Sequence, residues 1–403
     1  MSRCIVVVGA GIIGTALAEQ LSLDSELSVI VLDRASEGQQ PGSTGHAPGF
    51  VGMVADHPIM MELALTSVRS YRSLDRGGHS AFRGTGAVEI ASTEEAQRGL
   101  LLRQEQAKSA DIPACLFGPE EAARLAPRMV DPARARLALH LPLDGAADAR
   151  FITKQLRLRA GAGGTRFMPD TPVTDIVTRG NRVVGVRTST ETIRADDVVI
   201  ACGVWGVQVA ALAGVRLPLV PAVHPYVYGP AHHVTHPASP LVRWPDLGSY
   251  ARDHGDRYGL GTSGHDAVPA LNFADIAEVP WPSAPLDQAI NAALQAFPSA
   301  ERWFPERSVA GLLSITPDKM PLVGRIGPDG LWTAEAIWVT HAGGTAKLLA
   351  SMLRDERSLE GAAAALDPTR FAHLTPEECH AAAVRKYRTG PVPAPASQSA
   401  QAH

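Results

Sequence analysis

The chain has 403 residues, 45% of them hydrophobic and 19% charged, with 37 Lys and Arg against 41 Asp and Glu for a formal net charge of −4. That length supports a sizeable core and two or three structural units, and the charge balance lacks the basic excess of a nucleic-acid partner. No apolar run approaches the roughly 20 residues that span a bilayer, and the run Ile5 to Val8 is too short for a signal-peptide core. No membrane partner and a cytoplasmic location are therefore expected. The four cysteines, Cys4, Cys115, Cys202 and Cys379, show neither CxxC nor metal-ligand spacing. They read as buried thiols in a reducing compartment, with no metal site.

Arg3 to Val8 is continuous and β-branched, as a strand buried on both faces of a parallel sheet requires. Gly9-Ala10-Gly11-Ile12-Ile13-Gly14 turns into a helical stretch, Thr15 to Leu23, and a second strand, Leu27 to Leu32, ends in Asp33. In such a βαβ unit Gly9 suits the tight turn, Gly11 the close approach of a pyrophosphate, and Gly14 close helix-to-strand packing. The pyrophosphate would rest on the helix amino end at Ile12, where free N–H groups favour an anion. Asp33 is spaced to hold a ribose, with Arg34 beside it. The alternative is a Gly-rich turn without a ligand.

Between Pro58 and Ala126 the pattern is mostly helical, interrupted by a strand near Gly84 to Ile90. A helix is expected at Phe151 to Ala160. The runs Pro172 to Val177, Arg182 to Thr188 and Asp197 to Ala201 read as a meander returning to the main sheet. Pro218 to about Arg302 reads as strands and Pro-rich loops, and Val309 to Leu353 as α/β sequence. The tail Gly390 to His403 is rich in Pro, Ala, Ser and Gln and reads as disordered.

A nicotinamide enzyme usually keeps its dinucleotide fold contiguous, but here no second βαβ unit follows. Sheet-like pieces return instead near Val173, near Val198 and after Val309. That dispersal resembles the D-amino-acid oxidase family of flavoproteins, over nearly the whole chain. The likeness is nearest to the FAD half of dimethylglycine and sarcosine dehydrogenases and dimethylglycine oxidase. It rests on four segments in order: Gly42-Ser43-Thr44-Gly45-His46-Ala47-Pro48-Gly49, Ala201 to Gly206, Arg252 to Gly261, and Glu335 to Gly344. Gly45 stands where the family has a bulkier residue, and Ala251 follows Tyr250 where a second tyrosine is expected. The chain ends near where those enzymes continue into a folate-binding half.

The resemblance implies an α/β (α+β) fold in which a Rossmann-like FAD-binding domain (1–55, 145–217 and 303–365) is interleaved with a mixed-sheet substrate domain (56–144 and 218–302). A C-terminal helical extension (366–389) and a disordered tail (390–403) would follow. It implies FAD held by Gly9, Gly11, Ile12, Gly14, Asp33, Arg34, Ser43, Thr44, Ala47, Val173, Gly203, Trp205, Pro321, Gly343, Gly344 and Thr345. It also implies covalent attachment through His46, against a histidine that only packs beside the flavin edge. His224, Tyr250 and Lys347 would be catalytic, Lys347 by pairing with a substrate carboxylate. Their alternatives are core residues for the first two and a surface-helix lysine for the third.

The implied reaction is oxidation of a C–N bond in a small secondary or tertiary amine, such as sarcosine or dimethylglycine, by hydride transfer to flavin. Oxygen or an electron-transfer protein would reoxidise the flavin. Two alternatives are an oxidase of a carboxylate-bearing amine or hydrazine in specialised metabolism and a flavin monooxygenase. A third, from another class, is a non-catalytic FAD-binding subunit of an amine dehydrogenase complex.

Overall fold

The structure, a computed structural model, describes residues 2–233, 239–269, 280–355 and 364–388. The tail 390–403 lies outside the described residues.

Ile5, Val6 and Val7 are fully enclosed, as expected of a central strand whose two faces are both covered by packed elements. Arg3–Val8 pairs in parallel with Leu27–Leu32 on one side and Asp197–Ile200 on the other. Leu331–Glu335 and Arg166–Met168 extend the parallel sheet, and Leu322–Arg325 closes one edge in antiparallel pairing. The helices Ile12–Leu21, Ala149–Ala162 and Ala342–Leu353 cover one face of it and carry much of the largest core cluster. The three runs from Val173 to Arg194 form their own antiparallel sheet, so only Asp197–Ile200 of the expected meander enters the main one. The edge strand Arg166–Met168 was not legible in the sequence.

A larger mixed sheet runs from Val268–Pro269 through Val220–Ala231, Arg257–Thr262, Ser249–Asp253, Leu241–Trp244, Ala87–Ala91 and Leu137–Leu141 to Cys115–Phe117. Arg307–Ile315 also pairs with Val220–Ala231, along nine consecutive residue pairs from Val220↔Ile315 to Tyr228↔Arg307. This strand was expected with 303–365 in the dinucleotide-binding part, yet it hydrogen-bonds into the larger sheet. Likewise the helix Pro58–Arg72, expected in the substrate part, packs on Ala342–Leu353. A small sheet of Phe50–Val51, Gly145–Ala147 and Phe82–Arg83 joins the two layers.

The chain returns to the larger sheet at its far end. The helix Pro376–Tyr387 starts from a capping box, Thr375 with Glu378, and buries Cys379, Ala383 and Tyr387. It lies against Val220–Ala231 and Arg307–Ile315. The cysteines correct one expectation, because all four are free but only Cys379 is buried and Cys115 is exposed. Spacing along the chain says nothing about depth. Among the described residues no helix is long and apolar enough to cross a membrane.

Candidate active site

A single cavity of about 1060 Å³ runs from the glycine turn to the larger sheet. At its first end the backbone is shaped by absent side chains. Gly9 has φ +109°, and a Cβ there would lie 2.4 Å from the Ala201 carbonyl oxygen. A Cβ on Gly14 would lie 2.0 Å from the Gly9 carbonyl oxygen, so helix and turn touch only because both are glycine. Gly11 differs, since its Cβ would meet nothing closer than Thr44 Oγ1 at 3.2 Å. It borders the cavity as the N-cap of Ile12–Leu21. The Ile12 amide donates to Thr44 Oγ1 at 3.1 Å. Asp33 accepts from the amides of Ala10 (2.6 Å) and Ala35 (2.7 Å) and lines the cavity. Arg34 lies over the Trp205 ring, 4.4 Å from its centroid, in the same wall as Val173 and Gly203.

The short helix Ser43–His46 links this end to the other. Ser43 Oγ donates to the Leu312 carbonyl at 2.6 Å, and Arg150 Nε donates to the Gly45 carbonyl at 2.9 Å. A Cβ on Gly45 would lie 1.9 Å from the Gln40 carbonyl oxygen, which explains why no bulkier residue stands there. Arg252 donates to the Pro48 carbonyl, tying together two segments that are 204 positions apart in sequence. His46 and Ala47 line the cavity where it passes the strand Arg307–Ile315.

The far end is a polar wall in an apolar frame. Tyr250 and His224 come from neighbouring parts of the larger sheet, with the Tyr250 hydroxyl 3.1 Å from His224 Nε2 and the two rings nearly parallel at 6°. Desolvation, and then His265, lowers His224 to about 4. Burial likewise pushes the Tyr250 phenol up, so both groups are neutral near pH 7.

Arg243 lies opposite Tyr250 in the strand register and donates to Glu89 at 2.8 Å. Burial opposes ionisation of Glu89, but Arg103 and Arg243 outweigh it and hold the carboxylate below its usual range. Two guanidinium groups thus share the Glu89 carboxylate, with the buried Asp144 carboxyl, pushed up to about 7 by burial, beside them. Lys319 is a further cation here, lowered to about 8 by burial with Lys386 and Arg243 nearby.

Five expected site residues lie elsewhere. Gly343 and Gly344 are buried against Pro58–Arg72, where Cβ atoms would lie 3.1 Å from Ser67 Cα and 2.3 Å from the Leu63 carbonyl oxygen. Their amides donate to Tyr71 Oη (3.3 Å) and Ser67 Oγ (2.9 Å), so they serve helix packing and do not face the cavity. Thr345 and Pro321 are buried outside the lining. Lys347 is exposed on Ala342–Leu353 and does not line the cavity. Thr340 and His341, just before the glycines, do line the cavity.

Sequence reading missed Arg243, Lys319, Tyr387 and Glu335. Glu335 is buried at the end of its strand, accepts from the Cys202 amide at 2.7 Å, and burial pushes its carboxyl well above the usual carboxylate range. Arg243 had a local signal, since it stands on the strand before Tyr250. Tyr387 had none.

The glycine cradle, Asp33 and a cavity continuing past His46 fit a dinucleotide whose far end reaches the larger sheet. The sequence profile of the FAD dependent oxidoreductases (DAO) matches residues 4–352.

The chain belongs to this family.

Among its relatives in that family, 4-methylaminobutanoate oxidase (formaldehyde-forming) of Paenarthrobacter nicotinovorans is 30% identical over 266 residues, which make up 66% of this chain and 32% of that protein. Mitochondrial sarcosine dehydrogenase of Homo sapiens is 28% identical over 341 residues, 79% of this chain and 36% of that protein. The chain therefore spans about a third of the length of these curated relatives. L-proline dehydrogenase from P. horikoshii shares the fold, with a TM-score of 0.81 at 22% identity over 92% of this chain and 98% of that one. The FAD of the family fits the cradle at Gly9, Gly11 and Gly14, where added side chains would fill the space or break the turn.

Proposed function

We propose that the chain oxidises the C–N bond of a small secondary or tertiary amine carrying a carboxylate, an N-substituted glycine or a close homologue. The observation that carries this reading is the Tyr250–His224 pair facing Arg243 in one wall of a cavity that begins at the glycine turn. When bound, FAD supplies the acceptor for the hydride leaving the carbon next to nitrogen. Gly9, Gly11, Ile12, Gly14 and Asp33 hold its dinucleotide end, with Arg34, Trp205, Val173 and Gly203 beside them. Covalent attachment of FAD through His46, which lines the cavity, is part of this reading.

The protein's own groups prepare the amine. Hydride loss needs the nitrogen lone pair free, so the amine must arrive neutral or give up a proton in the site. The Tyr250 oxygen accepts the N–H, backed by a neutral His224. Arg243 and Lys319 attract the carboxylate and fix which end of the substrate reaches Tyr250. Enclosure keeps water from the reacting carbon. The electron acceptor that completes turnover is oxygen or a redox protein.

The relatives are named as oxidase or dehydrogenase of methylated amino acids, which supports the substrate class. The test is anaerobic mixing of the flavin-loaded protein with sarcosine, dimethylglycine and 4-methylaminobutanoate, read as loss of the visible flavin absorbance. If every amine leaves the flavin oxidised, this substrate reading fails, and an oxidase of another amine or hydrazine, a flavin monooxygenase or a binding subunit without its own active site takes its place.

A further inference from the structure

Beyond the Tyr250–His224 pair, the hydrogen bonds continue. Tyr387, on the C-terminal helix and only 3% exposed, places its hydroxyl 3.0 Å from His224 Nδ1 and 3.1 Å from His265 Nε2. It is also 3.3 Å from the Val223 carbonyl. His265 Nδ1 in turn lies 2.7 Å from the Asp266 carbonyl oxygen.

The bond directions are traced from that last one. A carbonyl only accepts, so His265 carries its proton on Nδ1, and its Nε2 offers a lone pair. The Tyr387 hydroxyl has one proton to donate, to His265 Nε2 at 3.1 Å or to the Val223 carbonyl at 3.3 Å. Having spent its one proton, Tyr387 accepts from His224 Nδ1–H. His224 Nε2 is then a lone pair and accepts from the Tyr250 hydroxyl. The Tyr250 oxygen is left with acceptor capacity toward the cavity, which is what a substrate N–H requires.

We propose that Tyr387 and His265 are positioning residues that lock His224 in its Nδ1–H tautomer and extend the Tyr250–His224 pair into a proton relay ending at the C-terminal helix. This rests on the amine-oxidising reading above. In the relay the amine proton passes to the Tyr250 oxygen and the phenolic proton of Tyr250 to His224 Nε2. The Nδ1 proton of His224 then passes to the Tyr387 oxygen and the Tyr387 proton to His265 Nε2. Each intermediate group gains one proton and loses one, no electrons move, and a single positive charge appears on His265. Next to it Asp266 carries an exposed carboxylate paired with Arg388 at 2.6 Å.

Other titratable or charged groups at this end are Tyr226 on the strand of His224, Arg243 on the neighbouring hairpin, Lys319, and Lys386 on the helix itself. The Asp318 carboxylate in the same cavity is held by Arg370 at 2.8 Å, and Asp266 is the carboxylate that attracts a charge on His265.

Two variants separate locking from relay. In ¹⁵N-histidine spectra of the flavin-loaded protein, with His224 assigned through His224→Gln, the wild type should show the Nδ1–H tautomer. Tyr387→Phe keeps the ring packing but removes the acceptor, so His224 should redistribute toward Nε2–H. Flavin reduction by the amine should slow ~10- to 100-fold, within the range of positioned acid–base groups, with KM within about twofold. His265→Gln can still accept from Tyr387 but cannot take up the proton, so it should keep the tautomer and still slow reduction. Flavin content and thermal midpoint control for folding. An unchanged His224 tautomer in Tyr387→Phe, or a reduction rate within twofold of wild type, overturns the proposal. If Tyr250→Phe reduces flavin as fast as wild type, the amine-oxidising role of the pair fails instead, while the tautomer result still decides whether Tyr387 orients His224.

Discussion

Gly11 and Gly14 lie three residues apart in one motif, yet the structure assigns them opposite sensitivities. Gly11 has φ −68° and ψ −175°, a conformation open to any residue. Its Cβ would touch only the Thr44 hydroxyl, at 3.2 Å, which a few tenths of an ångström of movement relieves. Gly11→Val should therefore cost the fold ~0.5–1 kcal/mol, chiefly the loss of a tolerated N-cap residue. It should cost the cofactor far more, because the isopropyl group stands where the pyrophosphate must approach the helix amino end. Losing two hydrogen bonds to a charged group at ~1.5–3 kcal/mol each gives ~3–6 kcal/mol, or roughly 10²- to 10⁴-fold weaker binding. Gly14→Ala reverses the pattern. Its Cβ would start 2.0 Å from the Gly9 oxygen, so helix and turn must separate by more than an ångström, at a cost of ~1–3 kcal/mol or more. Flavin-to-protein ratio after purification and urea unfolding of the flavin-free forms give the two readouts. Gly11→Val protein that keeps stoichiometric FAD would refute the placement of the pyrophosphate, and Gly14→Ala with unchanged stability would refute the packing argument.

Removing the buried carboxylate with Glu89→Gln leaves Arg103 and Arg243 with only the Asp144 carboxyl, pushed up to about 7 by burial, to offset them. Because the Arg243 side chain is 39% exposed, the loss should sit near the low end for a broken buried pair, about 3 kcal/mol, measured by urea unfolding. Arg243→Met should raise KM for a carboxylate-bearing amine at least tenfold, as expected for losing a charged hydrogen bond, while an uncharged amine is affected little; equal effects on both would argue against a carboxylate at this position. His46→Ala should release FAD on acid denaturation, whereas the wild-type polypeptide should stay fluorescent and heavier by one FAD; free FAD from both proteins would reject the covalent bond. For His224 the folded value of about 4 lies below the ordinary 6.5, so the unfolded chain binds the proton first. Its contribution is complete above pH 6.5 and is lost as pH falls toward 4, up to ~3 kcal/mol. Wild type should thus lose more stability than His224→Gln between pH 7 and pH 4, and parallel losses would show that the imidazole is not desolvated.

The parts of this protein legible in its sequence are those governed by neighbours along the chain. The β-branched run Ile5 to Val8, the three glycines and Asp33 encode a backbone path whose demands are local, and the structure follows it to within a residue or two. Gly45 was visible only as a departure, and its reason, the Gln40 carbonyl against which it packs, is a tertiary one.

Lys347, Gly343 and Gly344 mark the boundary clearly. Motif spacing put them at a helix amino end near the flavin. The direction in which that helix end points, however, depends on Pro58–Arg72, whose Ser67 and Tyr71 take up the glycine amides. Lys347, one helical turn further along the same face, is exposed.

By itself the sequence determined the family, the dinucleotide cradle and two members of the polar wall, His224 and Tyr250, because each is written in a short stretch of residue types. Only the tertiary structure decided that Arg243 stands opposite Tyr250, that Arg307–Ile315 belongs to the larger sheet, and that Tyr387 closes the hydrogen-bond chain. These depend on strand register and on a helix returning from 163 positions away to meet His224. Such contacts are selected by the total burial and hydrogen bonding of the folded chain, and apart from the short hairpin that brings Arg243 to Tyr250 no local stretch carries a signal for them.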